Sequence, residues 1–188
     1  MKMELSMNKH EERPWRILSS QVVYERGFQI VEERLETPAG EMLYVHMRSP
    51  VEAVATVALT GDHKVILTRQ YRHPLGRWIY DLPAGSHRIG EDPKVGALRE
   101  LEEETGFTTD NIIKLGYYVP FPGSLNVGTH LFLARDLVPG SRSLDKHEFI
   151  NLVYMDFDEA LQRVLDGEFT DGALMMGLLL TAQKGLTH

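Results

Sequence analysis

Apolar residues along this chain fall into short blocks separated by turn-forming residues, and the spacing inside the blocks changes from period two to period three or four. Trp15 to Tyr24 reads as extended, with Val22, Val23 and Tyr24 favouring a strand. Phe28 to Leu35 and Glu41 to Met47 read as a hairpin closed by Thr37-Pro38-Ala39-Gly40. This front section, roughly 14–48, has little hydrophobic mass and should lean on its own domain or on a partner subunit. Ser49-Pro50 marks a boundary, and residues 1–13 before the section are polar and expected to fray.

Denser blocks follow. Ala53 to Thr60 and Lys64 to Tyr71 predict apolar strands around a Gly61-Asp62 turn, and Trp78 to Leu82 predicts another. Ile112 to Val119, Thr129 to Ala134 and Phe149 to Met155 complete the set. Asp136 to Lys146 is a polar loop in which mobility is expected. Phe157 to Leu165 has helical spacing and stops at Gly167; a last helix runs from Asp171 to about Lys184, capped by Thr170 and apolar through Leu174, Met175, Leu178 and Leu179. Mixed strands, one helix, mixed strands and two helices predict an α+β fold, an α/β/α sandwich with mixed sheets and an additional N-terminal antiparallel element.

The stretch Gly85 to Phe107 departs from this pattern because its polar positions are nearly all acidic. Asp92 is the expected N-cap, Pro93 the first helical residue and Gly106 the C-terminal exit. Val95, Leu98 and Leu101 are expected to face the core. Glu100, Glu103 and Glu104, three and four apart, place their carboxylates on a neighbouring face. Like charges at that spacing repel, and Arg99 is the only local cation. A solvated helix face is the plain alternative. Against it, Leu82-Pro83-Ala84-Gly85 ends an apolar run in a tight loop that would bring backbone carbonyls to the start of an acidic helix. An oxygen-only ligand set, with neither cysteine nor clustered histidine, favours Mg2+, or Mn2+, over zinc.

Composition narrows the partners. The 188 residues carry a formal charge of −7, and 43% are hydrophobic. That length and apolar content suit one compact domain plus an accessory element. The negative charge leaves no electrostatic footprint for extended nucleic acid. The absence of cysteine excludes disulfides and thiol chemistry. No stretch is apolar enough for a signal peptide or a membrane span, so a cytoplasmic location is the default expectation.

Gly85, Glu91, Arg99, Glu100, Leu101, Glu103, Glu104, Gly106 and Phe107 fill every fixed position of the Nudix box, and the chain resembles the Nudix hydrolase family over about residues 50–184. Other features resemble the ADP-ribose and nucleoside-diphosphate-sugar pyrophosphatase branch: Gln70-Tyr71-Arg72 after the second core strand, Leu82-Pro83-Ala84-Gly85 before the box, Pro122-Gly123 after it, and the tail with Asp158-Glu159-Ala160, Gly167-Glu168-Phe169 and Asp171. The front hairpin resembles the branch's N-terminal sheet, which implies a homodimer with residues 14–48 as the dimerisation element and 49–188 as the Nudix domain. The loop Ser124-Leu125-Asn126-Val127-Gly128 departs from the branch pattern, lacking an acidic residue that relatives often carry.

The resemblance implies metal-dependent hydrolysis of the pyrophosphate bond of ADP-ribose or a related nucleotide sugar. Glu100 and Glu104 become metal ligands with the Ala84 carbonyl, and Glu103 either bridges metals or holds a metal-bound water. Arg99 is expected to orient Glu103 rather than touch substrate, and Glu91 to steady the loop, with a plain solvated glutamate as its alternative. For the general base, Glu148 in Asp145-Lys146-His147-Glu148 is preferred over Asp145, His147 and Glu103. Arg72 is expected to contact the diphosphate, since a guanidinium fits phosphate oxygens in a bidentate manner, with an ordinary surface salt bridge as its alternative. Phe28 is the candidate for stacking on the base, with core packing as its alternative. Rival readings are a broader nucleotide-sugar hydrolase of the GDP-mannose type, a nucleoside triphosphate pyrophosphatase, and a non-catalytic ligand-sensing Nudix module, which a degraded box would favour.

Overall fold

The computed structural model describes residues 14–187, so the expected frayed segment 1–13 lies outside the described residues. The chain divides into two compact units: residues up to Ser49 together with Gly123–Leu125, and Pro50–Pro122 together with the chain from Asn126 onward.

The smaller unit is an antiparallel sheet of β1 (Arg16–Arg26), β2 (Phe28–Thr37) and β3 (Gly40–Arg48), in that order. Gly27 makes the reversal between β1 and β2 with φ 75°, in the left-handed region where a side chain would be strained. The Gly123–Leu125 segment joins the sheet through the Met47 amide, which donates to the Ser124 carbonyl at 2.7 Å, and through the Tyr44 hydroxyl on the Gly123 carbonyl. Val31 and Leu35 are buried, while β1 is exposed along its whole length and Leu43, Val45 and Val23 stand open.

The larger unit contains β4 (Ala53–Leu59), β5 (Lys64–Arg72), β6 (Arg77–Asp81), β7 (Ala84–Ser86), α1 (Pro93–Thr105), β8 (Phe107–Thr108), β9 (Asn111–Tyr118), β10 (Thr129–Arg135), β11 (Val138–Pro139), β12 (Ile150–Asp156), α2 (Phe157–Leu165) and α3 (Gly172–Gln183). Its mixed sheet runs β12–β5–β4–β10–β9, with β6 on β5 and β7 on β4. Only the β4–β10 pairing is parallel among the sheet's registers. Alternation along β4 sends Val54 and Ala58 to clusters with Ala97 and Leu101 of α1, and Val57 and Leu59 to a cluster with Phe157, Leu174 and Leu178 of α2 and α3. These layers make the expected α/β/α sandwich. The strand order brings the ends of β4, β7 and β10 together, because Ala53 pairs with both Ser86 and Thr129.

Several local expectations are corrected by packing. Val95 is 53% exposed; the buried positions of α1 are Gly96, Ala97, Leu101, Glu104 and Thr105. The helix has turned so that small Gly96 and Ala97 approach the sheet, and Glu104 falls on its inner face. The cap of α3 is Asp171, whose carboxylate accepts from the Leu174 amide at 2.7 Å, rather than Thr170. Asp92 caps α1 through the Lys94 amide, and Gly106 leaves it at φ 77°. The centre of the 136–146 loop is hydrogen-bonded to the end of α1. Amides of Gly140 and Ser143 donate to the Gly106 and Glu103 carbonyls at 2.8 and 2.9 Å, and Arg142 Nε donates to the Glu104 carbonyl at 2.7 Å. A helix C-terminus leaves carbonyls without intrahelical partners, and this loop supplies donors for them.

Candidate active site

Three segments meet around a cavity of about 430 Å³: the β7 turn with Ala84 and Gly85, the exposed flank of α1 with Glu100 and Glu103, and the loop before β12 with Asp145 and Glu148. Gly85 lets the Glu100 carboxyl lie close against the backbone, and a Cβ there would have to displace it. Glu104 lies deeper, 4% exposed, and its Oε2 accepts the Ala84 amide at 3.0 Å. That bond turns the Ala84–Gly85 backbone toward the acidic flank of α1.

Arg99 organises this wall. Its guanidinium reaches Glu91 Oε1 and Oε2 at 3.2 and 3.1 Å, Glu100 Oε1 at 2.8 Å, Glu103 Oε2 at 3.1 Å and the Ser86 carbonyl at 3.0 Å. One side chain therefore ties the β7 turn to three glutamates of the box. Glu91 also accepts the Arg88 amide at 2.6 Å, and these bonds hold its carboxyl down at about 2. Glu100 and Glu104 behave oppositely. Burial raises both, Glu104 to about 8, and the neighbouring charge of Glu148 raises them further.

Crowded, desolvated carboxylates around an open cavity are unfavourable as anions unless a cation joins them. Glu100, Glu103 and Glu104 with the Ala84 carbonyl fit a hard divalent ion in donor chemistry, being all oxygen. Glu148 faces the same cavity, with Oε2 accepting the Asp145 amide at 2.9 Å.

Arg72 takes a different position. It is paired with Asp81, its Nε donating at 2.9 Å, and Asp81 is 3% exposed. Burial and the charge of Asp171 push Asp81 up to about 6. The Arg72 charge is still felt at Glu104, where it opposes the rise. Phe28 lies in the smaller unit at the start of β2, 37% exposed, its ring 5.8 Å from that of Tyr24. Sequence reasoning missed Asp81, the partner of Arg72, although an acid closing an apolar strand run is itself a signal. It also missed Arg142, which sits in a polar loop with nothing local to mark it.

A second polar group lies where β4, β7 and β10 begin or end. Glu52, His87 and His130 each offer a ligand atom within 4.8 Å of the others, and the three together could hold a metal ion. Histidines dispersed in the sequence are thus clustered in space. His130 Nε2 lies 2.8 Å from Glu52 Oε2, and the Tyr117 hydroxyl donates to Glu52 Oε1 at 2.5 Å. The Tyr117 bond leads in holding Glu52 low.

The NUDIX domain profile matches residues 49–175, and the chain belongs to the Nudix hydrolases, in the ADP-ribose and nucleoside-diphosphate-sugar pyrophosphatase branch. It is a hydrolase of phosphorus-containing anhydrides. Among similar proteins are the methanol dehydrogenase activator of Bacillus methanolicus, 33% identical over 92% of this chain and 95% of that one, and the ADP-ribose pyrophosphatase of Bacillus subtilis, 34% identical over 82% and 85%. The GDP-mannose pyrophosphatase of Klebsiella pneumoniae is 29% identical over 70% and 72%. A crystal structure described as an ADP compounds hydrolase superposes with a TM-score of 0.84 at 26% identity, covering 93% of this chain and 96% of the other. No helix among the described residues is long and apolar enough to cross a membrane.

Proposed function

We propose that this protein hydrolyses the pyrophosphate bond of ADP-ribose or a closely related nucleoside diphosphate sugar, with Mg2+ (or Mn2+) as its metal. The observation that carries this reading is the meeting of Glu100 and Glu103 with Glu148 across one cavity, with Glu104 buried on the same helix. The ADP-ribose pyrophosphatase and GDP-mannose pyrophosphatase relatives support the substrate class.

Glu100, Glu103, Glu104 and the Ala84 carbonyl would hold the metal. When bound, it neutralises phosphate charge and lowers the pKa of a coordinated water. Arg99 fixes Glu100 and Glu103 in place, so little reorganisation is needed as substrate arrives. Glu148 accepts the proton from the attacking water. The water oxygen bonds to one phosphorus, the bridging bond breaks, and the second phosphate leaves with its ester. ADP-ribose would give AMP and ribose 5-phosphate; another nucleotide sugar would give a nucleoside monophosphate and a sugar 1-phosphate.

Arg72, oriented by Asp81, is the proposed diphosphate contact, and Phe28 the base-stacking residue. The exposed β1–β3 sheet, with only Val31 and Leu35 among its large hydrophobics buried, supports a homodimer built through it. Sedimentation of a chain lacking residues 1–48 checks this: monomers support the interface, and a stable dimer rejects it.

The deciding assay compares kcat/KM for ADP-ribose and GDP-mannose in Mg2+, with products separated by chromatography. Strong preference for ADP-ribose supports the narrow reading. Comparable rates would make this a general nucleotide-sugar hydrolase, and turnover of neither would overturn the proposal.

A further inference from the structure

We propose that Glu52, His87 and His130 form a second cation site, separate from the box carboxylates and selective for a borderline transition ion such as Zn2+, and that its occupancy pins the turn carrying Ala84. This rests on the geometry of the cluster and not on the substrate reading above.

The donor set differs in kind from that of the box. Two imidazoles and one carboxylate suit zinc and its neighbours, whereas Mg2+ prefers oxygen alone. The ligand atoms come from three separate segments and lie within 4.8 Å of one another. An ion equidistant from three such atoms is within about 2.8 Å of each, so modest side-chain rotations reach the roughly 2.0–2.2 Å of zinc bonds. Glu52 Oε2 and His130 Nε2, 2.8 Å apart, already share one proton that an ion would replace. Tyr117 holds the other carboxylate oxygen and lays its ring 4.8 Å from that of His130, the kind of outer support that orients metal ligands.

One polar atom of the cluster is unpaired with or without an ion. His130 Nδ1 is buried with no hydrogen-bond partner. Turning the ring tautomer over to protonate Nδ1 would instead set a bare Nε2 lone pair against the Glu52 carboxylate, a repulsion that a cation between the two atoms removes. His87 gives up the most on binding. Its Nδ1 contacts the Arg88 carbonyl at 3.0 Å, and its Nε2 accepts the Glu52 amide in a long 3.2 Å bond that an ion must displace.

The route to the active site is short and covalent. His87 follows Ser86, whose carbonyl is held by Arg99, and its own amide donates to the Glu52 carbonyl at 3.2 Å. On the other side His87 packs on α1 at Gly96, where a Cβ would lie 2.7 Å from the His87 Cβ. An ion fixing His87 to Glu52 and His130 therefore clamps β7 and its turn onto β4 and β10, three residues from Ala84.

The test uses chelator-stripped full-length protein, with Zn2+ alone and Co2+ alone as probes, read by equilibrium dialysis in excess Mg2+ and by thermal melting. The wild type is expected to retain a tightly held Zn2+, to melt higher with it, and to show visible Co2+ bands of low coordination number. The Glu100→Gln/Glu104→Gln pair should keep all three signals, and His87→Ala/His130→Ala should lose them. His87→Ala alone, at a partly exposed position, should weaken binding about tenfold or more, and it decides the question if the double variant fails to fold. Slower amide exchange over residues 84–91 on adding Zn2+ would support the clamp. Absence of Zn2+ binding, binding abolished by the Glu100/Glu104 pair, or binding unchanged in the histidine variants would each overturn the proposal.

Discussion

The acidic flank of α1 and the Glu52–His87–His130 group stand at two ends of the same short turn, and both are clusters of metal-competent side chains. They are built in opposite ways. Glu100, Glu103 and Glu104 lie within five residues on one helix, so helical geometry alone brings them together. Glu52, His87 and His130 are spread over nearly eighty positions and meet only because β4 pairs with both β7 and β10. The first is crowded with like charge, and burial raises Glu100 and Glu104. The second is neutralised internally: Tyr117 and His130 both bond Glu52, whose carboxyl is held low. The two groups differ in their demand for a cation. The α1 flank lacks enough local positive charge to balance it, whereas the triad carries its own hydrogen bonds, with His130 Nδ1 left unpaired, and an ion would enter between Glu52 and His130.

The contrast can be broken most severely at Glu104. Glu104→Gln is expected to reduce kcat by at least ~100-fold while leaving the melting temperature with Mg2+ close to wild type; activity near wild type would remove Glu104 from the metal site. Glu148→Gln should come next, lowering kcat by roughly 10²-fold or more with KM little changed, since a general base acts on the reacting water rather than on binding. A matching loss in Asp145→Asn but not Glu148→Gln would transfer the role.

Arg99→Lys should cost about 10–100-fold, because an ammonium cannot span Glu91, Glu100, Glu103 and the Ser86 carbonyl at once. Raising Mg2+ should restore part of that loss if Arg99 acts by positioning the ligands. A KM effect alone, with no metal dependence, would instead make it a substrate contact.

The electrostatic difference predicts a pH effect in metal-free protein. In the unfolded chain the Glu104 carboxyl releases its proton near 4.5, but in the fold it holds it to about 8. Folded protein thus binds more protons between those values, so stability falls as pH rises through that window and levels off above it, by a few kcal/mol at most. Melts in chelator at several pH values should show the fall in wild type, and Glu104→Gln should flatten it. The smallest effect is expected at the triad. Glu52→Gln loses a charge-assisted bond at a partly exposed site, costing about 1 kcal/mol in chelator with the Mg2+-supported kcat changed only a few-fold.

Much of the architecture was legible because it rests on local chemistry. The caps at Asp92 and Gly106, the hairpin at Thr37–Gly40 and the strand blocks from Ala53 onward are set by residues next to one another. The same holds for the acidic cluster, since four residues along a helix are neighbours in space whatever the fold. Which face of α1 turns inward was less legible. Apolar spacing nominated Val95, yet the sheet selected small Gly96 and Ala97 for close approach and carried Glu104 inside with them.

Partners distant in sequence were decided by tertiary structure alone. Asp81 meets Arg72 through the β5–β6 pairing, Arg142 reaches both the Glu104 and Ile150 carbonyls, and Glu52 gathers His87 and His130 through the strand order. The sequence by itself determined the Nudix box, the helix that displays it and the oxygen chemistry of its ligands, because those depend on spacings of a few residues. The burial that raises Glu104, the binding of Arg72 to Asp81 and the second cluster depend on which strands lie side by side, and no local spacing encodes that.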